Sequence, residues 1–393
     1  MNKKKILNIY IDYKVDNTSN YLGNSFPPLI YNYFKNNDNY NIYSLNDLNL
    51  PKIDYCIVMN GGSHWNYKNF KLSNFSIYQF LIWTFPKFYK IFIFFSYFLK
   101  IPSKLFFKRH MYNNQSYEKH IKSLIKNNPT MKIIHRLDGI YQIICKVYGY
   151  DQTVKNLNDI SDLTIYQSNY SKESWEKGHE SIFGRTVQLK PKKSIILNNG
   201  VDMNLFNPKG DKFDLKGRWK ILNISASPSP KKGLFRILEL ANSLEKNDLF
   251  QFYLIGNQDK DPIFGKYIKD YKNINFIGSI KDRKVLSKYY RSCDIFIFPS
   301  EDDCSPNVIL EAMASGLPVL TVNSGGINEI IDKGEIKSGL FIDDKNPVMN
   351  LQNIIKFYDQ FRLNSLKIIK KFHNNDNTGL EYEKAIQDLE LKN

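Results

Sequence analysis

Residues 294–322, DIFIFPSEDDCSPNVILEAMASGLPVLTV, constrain the chain more than any other stretch. An apolar run ends in an acidic loop, a helix-forming stretch follows, and a second apolar run closes the unit. Two short apolar runs joined through a helix read as parallel strands, which must be covered on both faces. The spacing predicts a strand over 294–298, a helix over 306–315 and a strand over 317–322. Ser305 stands where a helix cap is expected, and Pro306 suits the first turn. Asn307 and Glu311 are four apart and share a helix face. Asp303 lies in the loop before the cap. Two carboxylates therefore flank a helix N-terminus at the carboxyl edge of a parallel sheet, where open α/β folds take their ligands. Free N–H groups at such a helix start suit phosphate or sugar hydroxyls.

The same alternation recurs along the chain. Strands are expected at 5–12, 41–44, 54–59, 131–136, 162–167 and 194–197, with a helix over 25–36. A second series begins at 219–225 and continues at 250–256 and 274–277. Helices over 232–246, 282–291 and 326–333 separate its members, and 347–393 reads as polar and helical. A chain of 393 residues exceeds one ordinary core. The expectation is α/β, with two doubly wound Rossmann-like domains, 1–205 and 206–393, the second carrying the C-terminal helices. The Pro/Gly/Asp-bearing connector 201–217 joins them.

The formal net charge of +16 favours an anionic partner. No nucleic-acid-binding motif accompanies it, so nucleic acid is set aside in favour of phosphorylated substrates or an anionic membrane surface. The segment 75–107 is densely aromatic and basic, and Pro86, Lys87 and Lys90 interrupt its apolar run. It does not read as a bilayer-spanning helix. Two readings stay open: a helix lying in the membrane interface, and a helical hairpin packed on the sheet. Cys56, Cys145, Cys293 and Cys304 lie far apart without metal-ligand spacing. No metal site is expected, and a reducing, cytoplasmic compartment fits, with peripheral contact at the membrane face. The N-terminal apolar run is short and broken by Asp12, which reads as a first strand and not as a signal peptide.

Asp303-x7-Glu311 followed by Ala312-Met313-Ala314-Ser315-Gly316-Leu317-Pro318-Val319 resembles the mark of the retaining nucleotide-sugar glycosyltransferases of family 4. In that family the mark is Glu-x7-Glu followed by Ala-Met-Ala-x-Gly-x-Pro-Val. Here Asp stands first, one methylene shorter. The resemblance implies the GT-B fold, two Rossmann-like domains facing a central cleft. It implies that Asp303 contacts hydroxyls of the transferred sugar and Glu311 the ribose, with the backbone from Ser305 through Pro306 and Asn307 to Val308 approaching sugar or phosphate.

Other segments are similar to the same family. NNGVDMNLFNP (198–208) resembles its interdomain connector. In SASPSPKKGLFR (225–236), Lys232-Gly233 matches the Lys-Gly of its phosphate-binding loop, but Ser227 stands where Arg is usual. Lys232 is the candidate cation for the leaving diphosphate, with Lys231 or Arg236 as a second charge. Gly325 and Gly326 match a Gly-Gly-x-x-Glu loop whose amides approach the ligand, while Glu329 reads as packing or pairing. In MKIIHRLDGIY (131–141), His135, Arg136 and Asp138 fall at or past a strand end. His135 or Asp138 would position the acceptor or stabilise the transition state. Asn60-Gly61-Gly62-Ser63-His64 is a weaker acceptor or phosphate loop.

The implied activity is metal-independent, retaining transfer of a hexose-type sugar from a nucleotide-diphosphate donor to a glycan or lipid-linked acceptor, with no further cofactor. Two alternatives keep the fold: a nucleotide-sugar epimerase or phosphorylase, and a catalytically weakened sugar-nucleotide-binding subunit.

Overall fold

The computed structural model describes residues 6–13, 26–59, 117–140, 150–180, 186–225, 230–257 and 271–391. The basic segment 75–107, the loop 60–64 and Ser227 lie outside them. The chain forms two six-stranded parallel sheets, each from one half of the sequence.

The first sheet contains β1 (Leu7–Ile11), β2 (Tyr40–Ser44), β3 (Tyr55–Met59), β4 (Lys132–Leu137), β5 (Leu163–Tyr166) and β8 (Ser194–Ile196), in the order β2-β1-β3-β4-β5-β8. Between β5 and β8 lies a small antiparallel pair, β6 (His179–Glu180) with β7 (Thr186–Val187). The second sheet contains β9 (Trp219–Ile224), β10 (Phe250–Ile255), β11 (Ile274–Gly278), β12 (Ile295–Phe298), β13 (Val319–Thr321) and β14 (Gly339–Phe341). Its order is β11-β10-β9-β12-β13-β14. Central strands are buried throughout, every residue in β3, β5, β12 and β13. That follows from their unbroken apolar runs, which only a sheet covered on both faces can bury.

In both sheets the strand order reverses beside the first strand. The second reverses between β9 and β12, which pair directly through Ile295–Ile221 and Phe296–Leu222. A reversal sends the two following connections to opposite faces and opens a crevice at the carboxyl ends of those strands. The loops after β9 and β12 carry Lys232 and Asp303.

The last helix, Asn375–Glu390, returns to the first half. Its Tyr382, Ala385 and Ile386 complete the core made by β1, β3 and the helix Phe26–Lys35. Glu383 on the same helix accepts hydrogen bonds from the hydroxyls of Tyr33 and Tyr40 at 2.9 and 3.0 Å. The chain thus crosses between halves twice, at 199–201 and at 373–375. The crossings touch: the Val201 N–H donates to the His373 carbonyl (2.9 Å), and Val201 bridges Asn374 in parallel. Among the described residues no helix is long and apolar enough to cross a membrane.

Candidate functional site at the switch point of the second sheet

Three consecutive acidic residues staple the loop after β12 to the segment after β9, two through Pro230–Lys232 and one through the first turn of the helix Leu234–Ser243. Glu301 meets Arg236 at 2.9 Å, Asp302 meets Lys231 at 3.6 Å, and Asp303 meets Lys232 at 2.7 Å. Lys232 Nζ donates to both Asp303 oxygens, at 2.9 and 2.7 Å, and the Ser300 hydroxyl makes a short bond to the same carboxylate. Gly233 allows this proximity: its φ is +75°, and a Cβ there would stand 2.1 Å from the Pro299 carbonyl oxygen. All three cations are thus paired, Arg236 also with Asp344 at 2.8 Å. Lys232 is the cation whose pair lies at the crevice between β9 and β12.

From the other side, the loop after β13 supports the acidic loop. The Gly326 N–H donates to the Asp303 carbonyl at 2.8 Å, and the Asp302 N–H to the Ser324 hydroxyl at 3.0 Å. Cβ atoms on Gly325 and Gly326 would stand 2.3 and 2.0 Å from the carbonyl oxygens of Asp303 and Cys304. The sequence suggests glycine amides turned to a ligand. Instead, Gly326 donates to protein, and the two glycines are needed because two backbones pack against each other.

The helix expected at 306–315 runs Asn307–Ala314. Pro306 occupies the cap position, and no side chain caps the helix. Ser305 therefore does not cap: the helix starts one residue later than its hydroxyl requires, and its carbonyl accepts from Asn199 Nδ2 at 3.2 Å. Glu311 is 3% exposed and accepts from Arg283 Nη2 at 2.8 Å and the Tyr290 hydroxyl at 3.1 Å. Burial, then the neighbouring Glu311 carboxylate, pushes the Tyr290 phenol well up, which keeps it a donor. The Tyr290 hydroxyl also lies 3.2 Å from the Val308 carbonyl. Asn307 turns away from this pair and accepts from Asn199 Nδ2 at 3.0 Å.

On the first half, His135 and Asp138 separate. His135 lies inside β4, fully buried, with Nδ1 3.3 Å from the Asn158 amide of the helix Tyr150–Asp159. The expectation that it faces the cleft is corrected: β4 runs on to Leu137, and alternation along a strand turns His135 under the helix layer. Arg136 and Asp138 take the other direction. Asp138 accepts from Arg136 Nη1 at 2.7 Å and Gln167 Nε2 at 3.0 Å. It lies close to the acidic loop: burial pushes the Cys304 thiol well up, and the Asp138 and Asp303 carboxylates add to the rise. Glu329 reaches across to the first half and caps the helix Asn169–Lys177, accepting from the N–H groups of Asn169 (2.9 Å) and Tyr170 (2.8 Å). A carboxylate at a helix N-terminus is favourably placed.

No motif in the sequence singles out Arg283 and Tyr290. A signal existed: they are seven apart on the helix Arg283–Ser292, two turns along one face. Nothing in the sequence says that this face meets Glu311.

Residues 219–360 match the family model described as glycosyl transferases group 1. Sulfoquinovosyl transferase SQD2 of Arabidopsis thaliana is 30% identical over 156 residues, 36% of this chain and 28% of that protein. The N,N'-diacetylbacillosaminyl-diphospho-undecaprenol alpha-1,3-N-acetylgalactosaminyltransferase of Campylobacter jejuni is 27% identical over 176 residues, 42% of this chain and 45% of that protein. The matched stretches span less than half the length of these curated relatives. Anabaena HepE, solved with UDP and glucose, superposes with a TM-score of 0.60 at 14% identity, covering 98% of this chain and all of that one. The two-sheet frame is therefore the GT-B fold.

Proposed function

With residues 219–360 belonging to the group 1 glycosyl transferases and the whole chain on a GT-B frame, we propose that this protein is a retaining glycosyltransferase. It moves a hexose-type sugar from a nucleotide-diphosphate donor to a glycan or lipid-linked acceptor. The observation that carries the reading is the Lys232–Asp303 pair, 2.7 Å apart at the switch point of the second sheet. There a cation for the diphosphate and a carboxylate for the sugar hydroxyls stand side by side, beside the start of the helix Asn307–Ala314.

In this reading residues 206–393 hold the donor and 1–205 the acceptor, with the last helix packed on the first. Glu311 meets the ribose, its carboxylate fixed by Arg283 and Tyr290. Lys232 divides its charge between Asp303 and the departing diphosphate. The bond from the anomeric carbon to the phosphate oxygen breaks, and the bond to the acceptor oxygen forms on the same face. The acceptor proton passes to the leaving diphosphate, so no protein base is needed. A fixed ammonium takes the place of a metal in stabilising that charge. Asp138, held by Arg136 and Gln167, orients the acceptor from the first half. The Campylobacter relative, whose name specifies a diphospho-undecaprenol acceptor, and the basic aromatic segment 75–107 support a lipid-linked acceptor met at the membrane face. The UDP of the HepE structure supports a nucleotide-diphosphate donor.

The test is incubation with UDP-, GDP- and ADP-hexoses and candidate lipid-linked acceptors in the presence of chelator, with the product anomer read by NMR. Transfer with the donor's own anomeric configuration is expected. Lys232→Met and Asp303→Asn should each lower it by on the order of 100-fold. An inverted product, or turnover that needs a divalent metal, would overturn the mechanism.

A further inference from the structure

Arg136 is a large side chain only 2% exposed, its guanidinium 4.0 Å above the Phe26 ring. Nη1 donates to Asp138 Oδ1 at 2.7 Å; Nη2 donates to Gln167 Oε1 at 3.0 Å and to Asn199 Oδ1 at 2.7 Å. Nε is buried and makes no hydrogen bond among the described residues. Taking a guanidinium out of water costs several kcal/mol, so a buried arginine is a poor source of stability. What it supplies is geometry, because its donors lie in one rigid plane and it has no acceptor.

That lack of an acceptor has a consequence at Asn199. Since Arg136 only donates, Asn199 must turn Oδ1 towards it. Nδ2 is then turned to the remaining acceptors: it donates to Gln167 Oε1 at 2.9 Å, to the Ser305 carbonyl at 3.2 Å and to Asn307 Oδ1 at 3.0 Å. Reversed, the amide would set oxygen against a backbone carbonyl and against Asn307 Oδ1. Arg136 thereby decides which face the first chain crossing presents to the start of the Asn307 helix, while the same guanidinium holds Asp138.

We propose that Arg136 is a positioning residue: through Asn199 it sets the start of the Asn307 helix, and so the donor side, at a fixed place relative to Asp138. As a claim about catalysis it rests on the transferase reading above; as a claim about geometry it does not.

The experiment uses the full chain with two variants. Arg136→Lys keeps the charge and loses the planar fork. Asn199→Asp keeps the acceptor for Arg136 and loses the donor to Ser305 and Asn307. Spin labels at cysteines placed at exposed Glu173 and Lys284, one in each half, report the separation of the halves. Both variants should broaden that distance distribution. Both should lower the transfer kcat by on the order of 10- to 100-fold, leave the donor KM within about threefold, since uniform donor binding is untouched, and raise hydrolysis relative to transfer. Unchanged distances with an unchanged hydrolysis-to-transfer ratio would refute the proposal, even if the melting temperature fell. If wild type transfers no sugar, the function reading fails, and the distance distributions alone then decide the positioning claim.

Discussion

Asp12 closes β1 with its carboxyl buried: Oδ1 lies 3.5 Å from the Tyr10 hydroxyl and 3.8 Å from His120 Nε2. Burial pushes its pKa up to about 7, against the lowering effect of hydrogen bonds from Tyr117 and Tyr10. The half-buried His120 is itself held below its ordinary range by partial desolvation, so it offers little compensating charge at neutral pH. For an acid whose folded pKa is raised, the two states bind protons equally below about pH 4. Between there and pH 7 the unfolded chain ionises while the folded one keeps its proton, so stability falls through that window and levels off above it. Asp12→Asn removes the slope. Its melting temperature relative to wild type should rise by on the order of 5 °C between pH 4.5 and 7.5; a pH-independent difference would show that Asp12 ionises freely in the fold. At this scale the sequence drew attention to Asp303 and Glu311 through one contiguous string and to Lys232 through a Lys-Gly pair, and the fold sets Lys232 against Asp303. It did not disclose Arg283, Tyr290 or the orientation of His135, which depend on which face of an element meets which neighbour.

The acidic loop after β12 owes its shape to its neighbours. Three ion pairs hold it to the loop after β9 and the helix that follows, and the Gly325-Gly326 backbone packs against it. Gly326 has an ordinary φ of −91°, so alanine there meets no backbone strain, but its Cβ would run into the Cys304 carbonyl and the Ser168 hydroxyl. Gly326→Ala should part the two loops, costing about 1–3 kcal/mol as overpacking does, with a larger fall in transfer than in donor-independent folding. Urea denaturation beside an activity assay checks this, and an unchanged midpoint with full activity would show that the loops are not in register-setting contact. Strands such as β3 and β12 were legible to within a residue or two because unbroken apolar runs leave one option. The helices Tyr150–Asp159 and Asn169–Lys177 were not: the second buries only Ser171 and Trp175, too sparse a stripe to set a period. Short β14 and the two-residue strands β6 and β7 are made by tertiary pairing, not by local preference.

Across the whole molecule, the return of the last helix was the feature least visible in sequence. Its amphipathic pattern shows that it packs, but not on which half. With Tyr382 and Ile386 fully buried against the first sheet's core, a chain ending at residue 374 should lose on the order of 5 kcal/mol. An unfolding midpoint matching that of the intact chain would show the helix to be dispensable. The two-sheet plan was legible, by contrast, because length and repeated strand–helix alternation allow few other arrangements.

The paired crossings have one more consequence. Since Val201 and His373 are hydrogen-bonded at 2.9 Å, the second half enters and leaves the first through a single doorway. It is a closed cassette, inserted between the last strand and the last helix of its host. A cassette whose ends already meet can be exchanged for another without altering the distance its host must span. In such a plan, the surfaces of the two halves are free to change independently.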